Sequence, residues 1–284
     1  MKKGLVLEGG GMRGMFTEGV LNVFMERGLS FDGLVGVSAG ALFGCGYKSH
    51  QQRRGLKCNI RFIGDPKYMG VLQWLKTGNY SSAEYAYHIV PTELEPIDAG
   101  AFAEDPMDFY VVCTDVETGE PVYKKISHCD YNGLEWFRAT ASMPLVSRPV
   151  ELEGKKLLDG GMSDSIPLKF FQSIGYEKNV VVLTQPKGYR KEPSSFYKLL
   201  KLYHRDYPQI AETMRQRHIM YNAEIEYVEE QARLGKTFVI YPDEALQIGR
   251  MEQNKEKMLA VYELGRKKGM ELLPDILAFL SNKS

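Results

Sequence analysis

The sequence predicts an α/β fold with a doubly wound sheet, on two observations. Five short runs are apolar at consecutive positions: Leu5-Val6-Leu7, Leu34-Val35, Phe109-Tyr110-Val111-Val112, Val180-Val181-Val182-Leu183 and Thr237-Phe238-Val239-Ile240. Strands with apolar residues on both faces belong to parallel sheets buried under helices on either side. The first two runs flank a segment in which Phe16, Val20, Val23 and Phe24 share one helical face, with Gly28 as its stop. Strand, helix and strand in about thirty residues make a βαβ unit.

In chain order, the first strand opens into Gly9-Gly10-Gly11-Met12-Arg13-Gly14, which also starts the first helix. A glycine loop lets backbone N–H groups point into a site unobstructed, and the helix N-terminus behind it carries positive partial charge. Both suit an anion. The amides of Gly10 and Gly11, with that of Ala39, are the candidate oxyanion hole, and Arg13 either adds charge or braces the loop. Gly9, Gly11 and Gly14 also satisfy the dinucleotide fingerprint G-x-G-x-x-G. That reading needs an acid at the end of the second strand to hold a ribose. The strand ends instead in Gly36-Val37-Ser38-Ala39-Gly40, and Asp32 precedes it.

That pentapeptide is a G-x-S-x-G motif between a strand and the helical run Ala41-Leu42-Phe43. Strand, sharp turn and helix are the context of a nucleophile elbow, in which a strained turn projects the serine hydroxyl from the sheet. Little room surrounds such a turn, so the positions two before and two after, Gly36 and Gly40, must be very small. Ser38 is the candidate nucleophile of an acyl transfer.

Further along, Leu157-Leu158-Asp159-Gly160-Gly161 releases a carboxylate from an apolar run into a tight turn. Asp-Gly is common in turns, yet Asp159 is placed to take a proton directly. Histidine is the usual base for serine, but none of His50, His88, His128, His204 and His218 lies in a glycine-flanked turn after a strand-like run.

Two regions fit the sheet less well. Residues 47–100 are rich in Tyr, Gly and Lys with weak periodicity. Residues 187–236 read as helical and polar, with Phe196, Leu199, Leu200, Tyr203 and Tyr207 on one face. Between Lys187 and His218 there are eight Lys/Arg against three Asp/Glu. A cationic surface for anionic lipid would look like this, but the preferred reading is a solvated face balanced by Glu224, Glu226, Glu229 and Glu230. From about Met251 to Leu280 the pattern is a scaffolding helix interrupted near Pro274.

The whole chain sets bounds. Apolar residues make up 44% and charged residues 25% of it, as in a soluble globule with one sizeable core. Formal charge is zero, which gives no electrostatic argument for nucleic acid. The first apolar run is too short for a secretory signal, and no run is long enough to span a bilayer. Cys45, Cys58, Cys113 and Cys129 have no C-x-x-C spacing and read as reduced thiols of a cytoplasmic protein. No ligand-spaced His/Cys/Asp cluster suggests a metal.

Taken together, Gly9 to Gly14 with Arg13, Gly36 to Gly40, and Asp159-Gly160-Gly161 resemble, in this order, the motifs of the patatin-like phospholipases. Ala139-Thr140-Ala141-Ser142-Met143-Pro144-Leu145 is similar to that family's helix and Pro turn. Glu8 stands where many members carry aspartate. The resemblance implies a three-layer α/β/α sandwich with a mostly parallel central sheet. It implies one domain over residues 1–284, with a helical cap or insert near 187–236. It also implies hydrolysis of fatty-acyl esters or phospholipids by a Ser38–Asp159 dyad through an acyl-enzyme. No cofactor or nucleic acid is expected, and the substrate class implies peripheral contact with a membrane surface. The alternatives are a flavin or nicotinamide protein, and a catalytically idle lipid-binding relative.

Overall fold

The computed structural model describes residues 1–203 and 205–282. The N-terminal part runs β1 (Lys2–Leu7), α1 (Met15–Glu26), β2 (Gly33–Val37), α2 (Ala39–Lys48), α3 (Arg54–Phe62) and α4 (Val71–Thr77). A π-helical stretch, Tyr85–Leu94, leads to α5 (Ala99–Glu104), β3 (Asp108–Asp115), β4 (Pro121–Lys125) and α6 (Tyr131–Thr140). Then come β5 (Val150–Leu152), β6 (Lys155–Asp159), α7 (Leu168–Ser173) and β7 (Tyr176–Val182). The chain closes with α8 (Phe196–Tyr203), α9 (Pro208–Arg233), β8 (Thr237–Ile240) and α10 (Lys255–Ser281).

The five continuous apolar runs lie in β1, β2, β3, β7 and β8, paired in parallel in one sheet with β8 at its edge. Their order is β5-β6-β3-β2-β1-β7-β8, with β4 beside β3. Alternate residues go to opposite layers. Leu5, Leu7, Leu34, Phe109, Val111, Val180 and Val182 join a core with Phe16 and Val20 of α1 and Met258 and Val261 of α10. Val6, Val35, Val37, Val112 and Val181 face the other way, onto Phe171 of α7 and Tyr221, Ile225 and Val228 of α9. Burial on both faces explains the uninterrupted patterns, and the result is a three-layer α/β/α sandwich.

Two expectations are corrected. The C-terminal helix is not broken near Pro274, because α10 is continuous through it. The carbonyl that Pro274 cannot satisfy belongs to Met270, on the solvent-facing side of the helix. The basic segment 187–218 is not simply a solvated face. Arg215 does pair with Glu212 on the surface and Arg190 with Glu229. Glu224, however, is half-buried and accepts from the amides of Ser165 and Ile166, so it balances no surface cation. The stretch expected as a cap divides: α9 is a layer of the sandwich, while α8 and the chain before it stand beside the candidate site.

One feature of the sheet positions that site. Along one edge of β3, β2 pairs Gly33–Val37 with Asp108–Val112. The opposite edge carries β4 from Tyr110 to Thr114. β6 pairs Asp159, Leu158 and Leu157 with Cys113, Thr114 and Asp115. With β4 in the way, β6 must take up the edge where β2 leaves it. The two strands approach from opposite directions, so their C-terminal ends abut between Val112 and Cys113.

Candidate active site

Ser38 follows the last residue of β2, and Asp159 is the last residue of β6. The abutting strands therefore bring residues 121 positions apart onto the wall of one cavity, near enough for the Ser38 hydroxyl to favour the ionised Asp159 carboxylate. Thr114 Oγ1, on the shared neighbour strand, donates to the Asp159 carbonyl at 2.8 Å. The Gly161 amide donates to Asp159 Oδ1 at 2.8 Å. Burial raises the Asp159 carboxyl above the usual aspartate range, against the influence of the Ser38 hydroxyl, the hydrogen bond from the Gly161 amide and the charges of Arg217 and Arg250. A carboxylate raised in this way is a stronger proton acceptor than an exposed one.

Ser38 has the backbone of an elbow, with φ 53° and ψ −124°. The turn is as crowded as its sequence implies. A Cβ on Gly36 would come within 2.6 Å of the Ala41 Cα, and one on Gly40 within 2.6 Å of the Leu7 carbonyl oxygen. Thr140, at the end of α6, locks the turn: its Oγ1 accepts from the Ser38 amide at 3.0 Å and donates to the Val112 carbonyl. The sequence offered Thr140 only as part of a motif-like stretch, without this role.

The glycine loop passes the same point. A Cβ on Gly9 would lie 3.1 Å from Ser38 Cβ. Gly11, at φ 57°, turns the chain so closely under Arg250 that its Cβ would meet that carbonyl oxygen at 2.4 Å. The Arg250 carbonyl accepts from the Met12 amide and Gly10 accepts from Arg13. The amides of Gly10, Gly11 and Ala39 donate to no protein acceptor among the described residues. Gly14 lies against Phe43 at the start of α1, and Gly160 against the Val112 carbonyl. Arg13 does not brace the loop by hydrogen bonding through Nε, which is buried without a partner.

Ser38 lies where two cavities meet. One, of about 190 Å³, has walls that include Leu42, Phe43, Val90, Ile97, Leu134 and Phe137. The other, of about 620 Å³, contains Asp159 together with Arg13, Lys191, Arg217 and Arg250. Among the described residues no histidine lines either. His88 is buried against Glu135 at 2.7 Å and stacked on Tyr131, while His50 is exposed beside Asp105 at 2.8 Å. His218 is half-buried on α9, its Nδ1 facing the Arg215 carbonyl, and His204 lies outside the described residues. Asp32, the acid weighed for a ribose, precedes β2 and accepts from the Lys3 amide at 2.6 Å.

The family model described as patatin-like phospholipase matches residues 5–171, more than half of the chain and every motif residue above. The chain belongs to the patatin-like phospholipase family. In this patatin-like chain a second model, a domain of unknown function (DUF6363), matches residues 207–281, from the start of α9 to the end of α10. The chain is 27% identical to the uncharacterized protein YjjU of Escherichia coli K12, over 99% of its own length and 79% of that protein's. It is 28% identical to lysophospholipase NTE1 of Chaetomium globosum over 61% of its length, and spans 11% of that much longer protein. Among solved structures, VipD from Legionella pneumophila aligns with TM-score 0.47 and 14% identity, over 96% of this chain and 67% of VipD.

Proposed function

We propose that this patatin-like protein is a serine-type lipid acyl hydrolase working through a Ser38–Asp159 dyad. The observation that carries the proposal is Ser38, on a strained elbow turn, sharing one cavity with the buried Asp159 carboxylate at the mouth of a second, apolar cavity. Ser38 Oγ attacks the ester carbonyl as Asp159 accepts its proton, and the amides of Gly10, Gly11 and Ala39 receive the oxyanion. The C–O bond breaks, Asp159 returns the proton to the leaving alcohol, and the acyl group stays on Ser38. Water then gives its proton to Asp159 and attacks the acyl-enzyme, releasing the fatty acid and restoring the serine. The acyl chain occupies the cavity walled by Leu42, Phe43 and Phe137.

A fluorophosphonate probe tests the nucleophile by bonding covalently to an activated serine. The wild type is expected to label stoichiometrically and Ser38→Ala not at all. Labelling that persists in the variant would move the nucleophile elsewhere, and an unlabelled wild type would favour the idle relative.

The same reading includes contact with a lipid surface. Val71, Leu72 and Leu75 of α4 and Leu199 and Leu202 of α8 are more than half exposed. Trp74 ties α4 to the Leu145 carbonyl at 2.9 Å, next to Met143, Pro144 and Val146 on the larger cavity, where Phe196 of α8 also sits. The double change Leu72→Asp/Leu75→Asp is expected to reduce co-flotation with phosphatidylglycerol vesicles at least severalfold. Undiminished flotation would remove α4 from that surface.

A further inference from the structure

The larger cavity has a charge problem that the dyad chemistry does not use. Arg13, Lys191, Arg217 and Arg250 all line it, and none of the four forms an ion pair with a carboxylate among the described residues. The acids in the same cavity are already engaged. Glu8 accepts from the Tyr221 hydroxyl at 2.9 Å and from the Thr184 amide at 2.6 Å and hydroxyl at 3.0 Å. Asp159 accepts from the Gly161 amide at 2.8 Å. At the rim, Glu192 is exposed, and Arg190 is paired with Glu229 at 3.0 Å.

The four cations sense one another. Burial, with repulsion from Arg217, Arg250 and Arg13 outweighing attraction to Glu8, lowers the Lys191 ammonium to about 7. Burial and Arg250 likewise depress both Arg13 and Arg217. Arg13 Nε is buried with no hydrogen-bond acceptor. Gathering like charges, three of them partly buried and the exposed Arg250 beside them, without an anion is costly, and the fold nonetheless holds them in place. Asn222 Oδ1 accepts from the Lys191 amide at 2.8 Å, Asn222 Nδ2 donates to its carbonyl at 3.1 Å, and Lys191 Nζ sits 4.3 Å from the centre of the Tyr221 ring. Arg217 is anchored by donating from Nε to the Gly161 carbonyl. An anion bound among these groups would relieve the repulsion.

We propose that Arg13, Lys191, Arg217 and Arg250 form a subsite for the phosphate of the substrate's head group, making the preferred substrate an acyl glycerophosphate of net negative charge. This rests on the hydrolase reading above, because Ser38 lies at the junction of the cationic and apolar cavities. An ester carbonyl at Ser38 directs its acyl chain into one cavity and its glycerophosphate into the other. A neutral glyceride leaves the four cations unpaired, and a choline head group brings a further cation among them. Arg217, Tyr221, Asn222 and Arg250 all belong to the segment matched by the domain of unknown function. That segment therefore completes the substrate cleft.

The test compares soluble six-carbon substrates, which removes any contribution from a charged interface: hexanoyl lysophosphatidate, hexanoyl lysophosphatidylcholine and monohexanoylglycerol. The wild type is expected to favour the lysophosphatidate over the glycerol ester by about tenfold or more in kcat/KM, with the choline ester between. Lys191→Met and Arg250→Met should each cut that preference about tenfold, chiefly through KM. Both side chains can be changed without removing the Arg217 anchor or the Arg250 carbonyl. Equal kcat/KM for the three esters, or a preference unmoved by both substitutions, overturns the subsite while leaving the hydrolase standing. Calorimetric titration of Ser38→Ala with hexanoyl lysophosphatidate reads the subsite without turnover. Binding there that weakens in the double variants with Lys191→Met or Arg250→Met supports it even if no ester is hydrolysed. Inorganic phosphate competing as well as sn-glycerol 3-phosphate would assign the cluster to free phosphate and overturn the head-group assignment.

Discussion

Ser38→Gly is expected to abolish ester hydrolysis and at the same time make the protein more stable. Loss of the hydroxyl removes the only atom proposed to bond the acyl group, a change worth about 10⁵-fold or more in kcat for nucleophiles of this kind. The stability gain comes from the backbone. At φ 53° and ψ −124° Ser38 occupies a region that costs a side-chain-bearing residue about 1–3 kcal/mol, and glycine adopts it freely. The extra freedom of glycine in the unfolded chain offsets part of this, leaving a net gain of about 1 kcal/mol and a few degrees in Tm. Ser38→Ala separates the two effects. It keeps the Cβ and the strain, so it should lose activity without gaining stability. A glycine variant that melts no higher than the alanine variant would mean that the elbow stores no strain.

Asp159→Asn is the second large effect. The amide oxygen can still accept from the Gly161 amide, so the turn is expected to hold and Tm to stay within a few degrees. What is lost is a group that can take a proton, and kcat should fall by about 10³–10⁴-fold. The pH profile identifies the cause. In the wild type the rate requires ionised Asp159 and falls as pH drops through its pKa. Burial raises that pKa, so the acid limb lies at higher pH than for an exposed aspartate. In the variant the residual rate should show no such limb. Full activity in Asp159→Asn would transfer the base to another residue.

The strands β1, β2, β3 and β7 were legible because each carries a continuous apolar run buried on both faces, and the edge strand β8 because Phe238, Val239 and Ile240 follow one another. β4, Pro121–Lys125, escaped because it is partly exposed along its length and ends in two lysines, and β5 has only three residues. The contrast holds within the site. Ser38 and Asp159 sit in turns whose shape is dictated by adjacent glycines, so local sequence marks them. Lys191, Arg217 and Arg250 come from a loop, a long helix and another loop, and only the tertiary fold points them into one cleft. In the sequence Lys191 and Arg217 looked like members of an ordinary surface charge run. Thr140 had no signal beyond its neighbourhood, since its importance depends on Val112 and Ser38 being adjacent to it in space.

The junction of β2 and β6 along β3 has a consequence for how such a protein tolerates change. The two side chains of the proposed dyad are measured off against successive rungs of one hydrogen-bonded ladder, Val112 and Cys113, rather than held apart by the excursions between them. The excursion from Val116 to Glu151 can therefore be lengthened, trimmed or exchanged with the gap between oxygen atoms unaltered, provided β4 still fills the opposite edge of β3 and Thr140 still reaches the Ser38 turn. Variation in what the cleft accepts is thereby uncoupled from the reaction itself. A single residue inserted in β3 at that rung would do the reverse, leaving every loop intact and the spacing wrong.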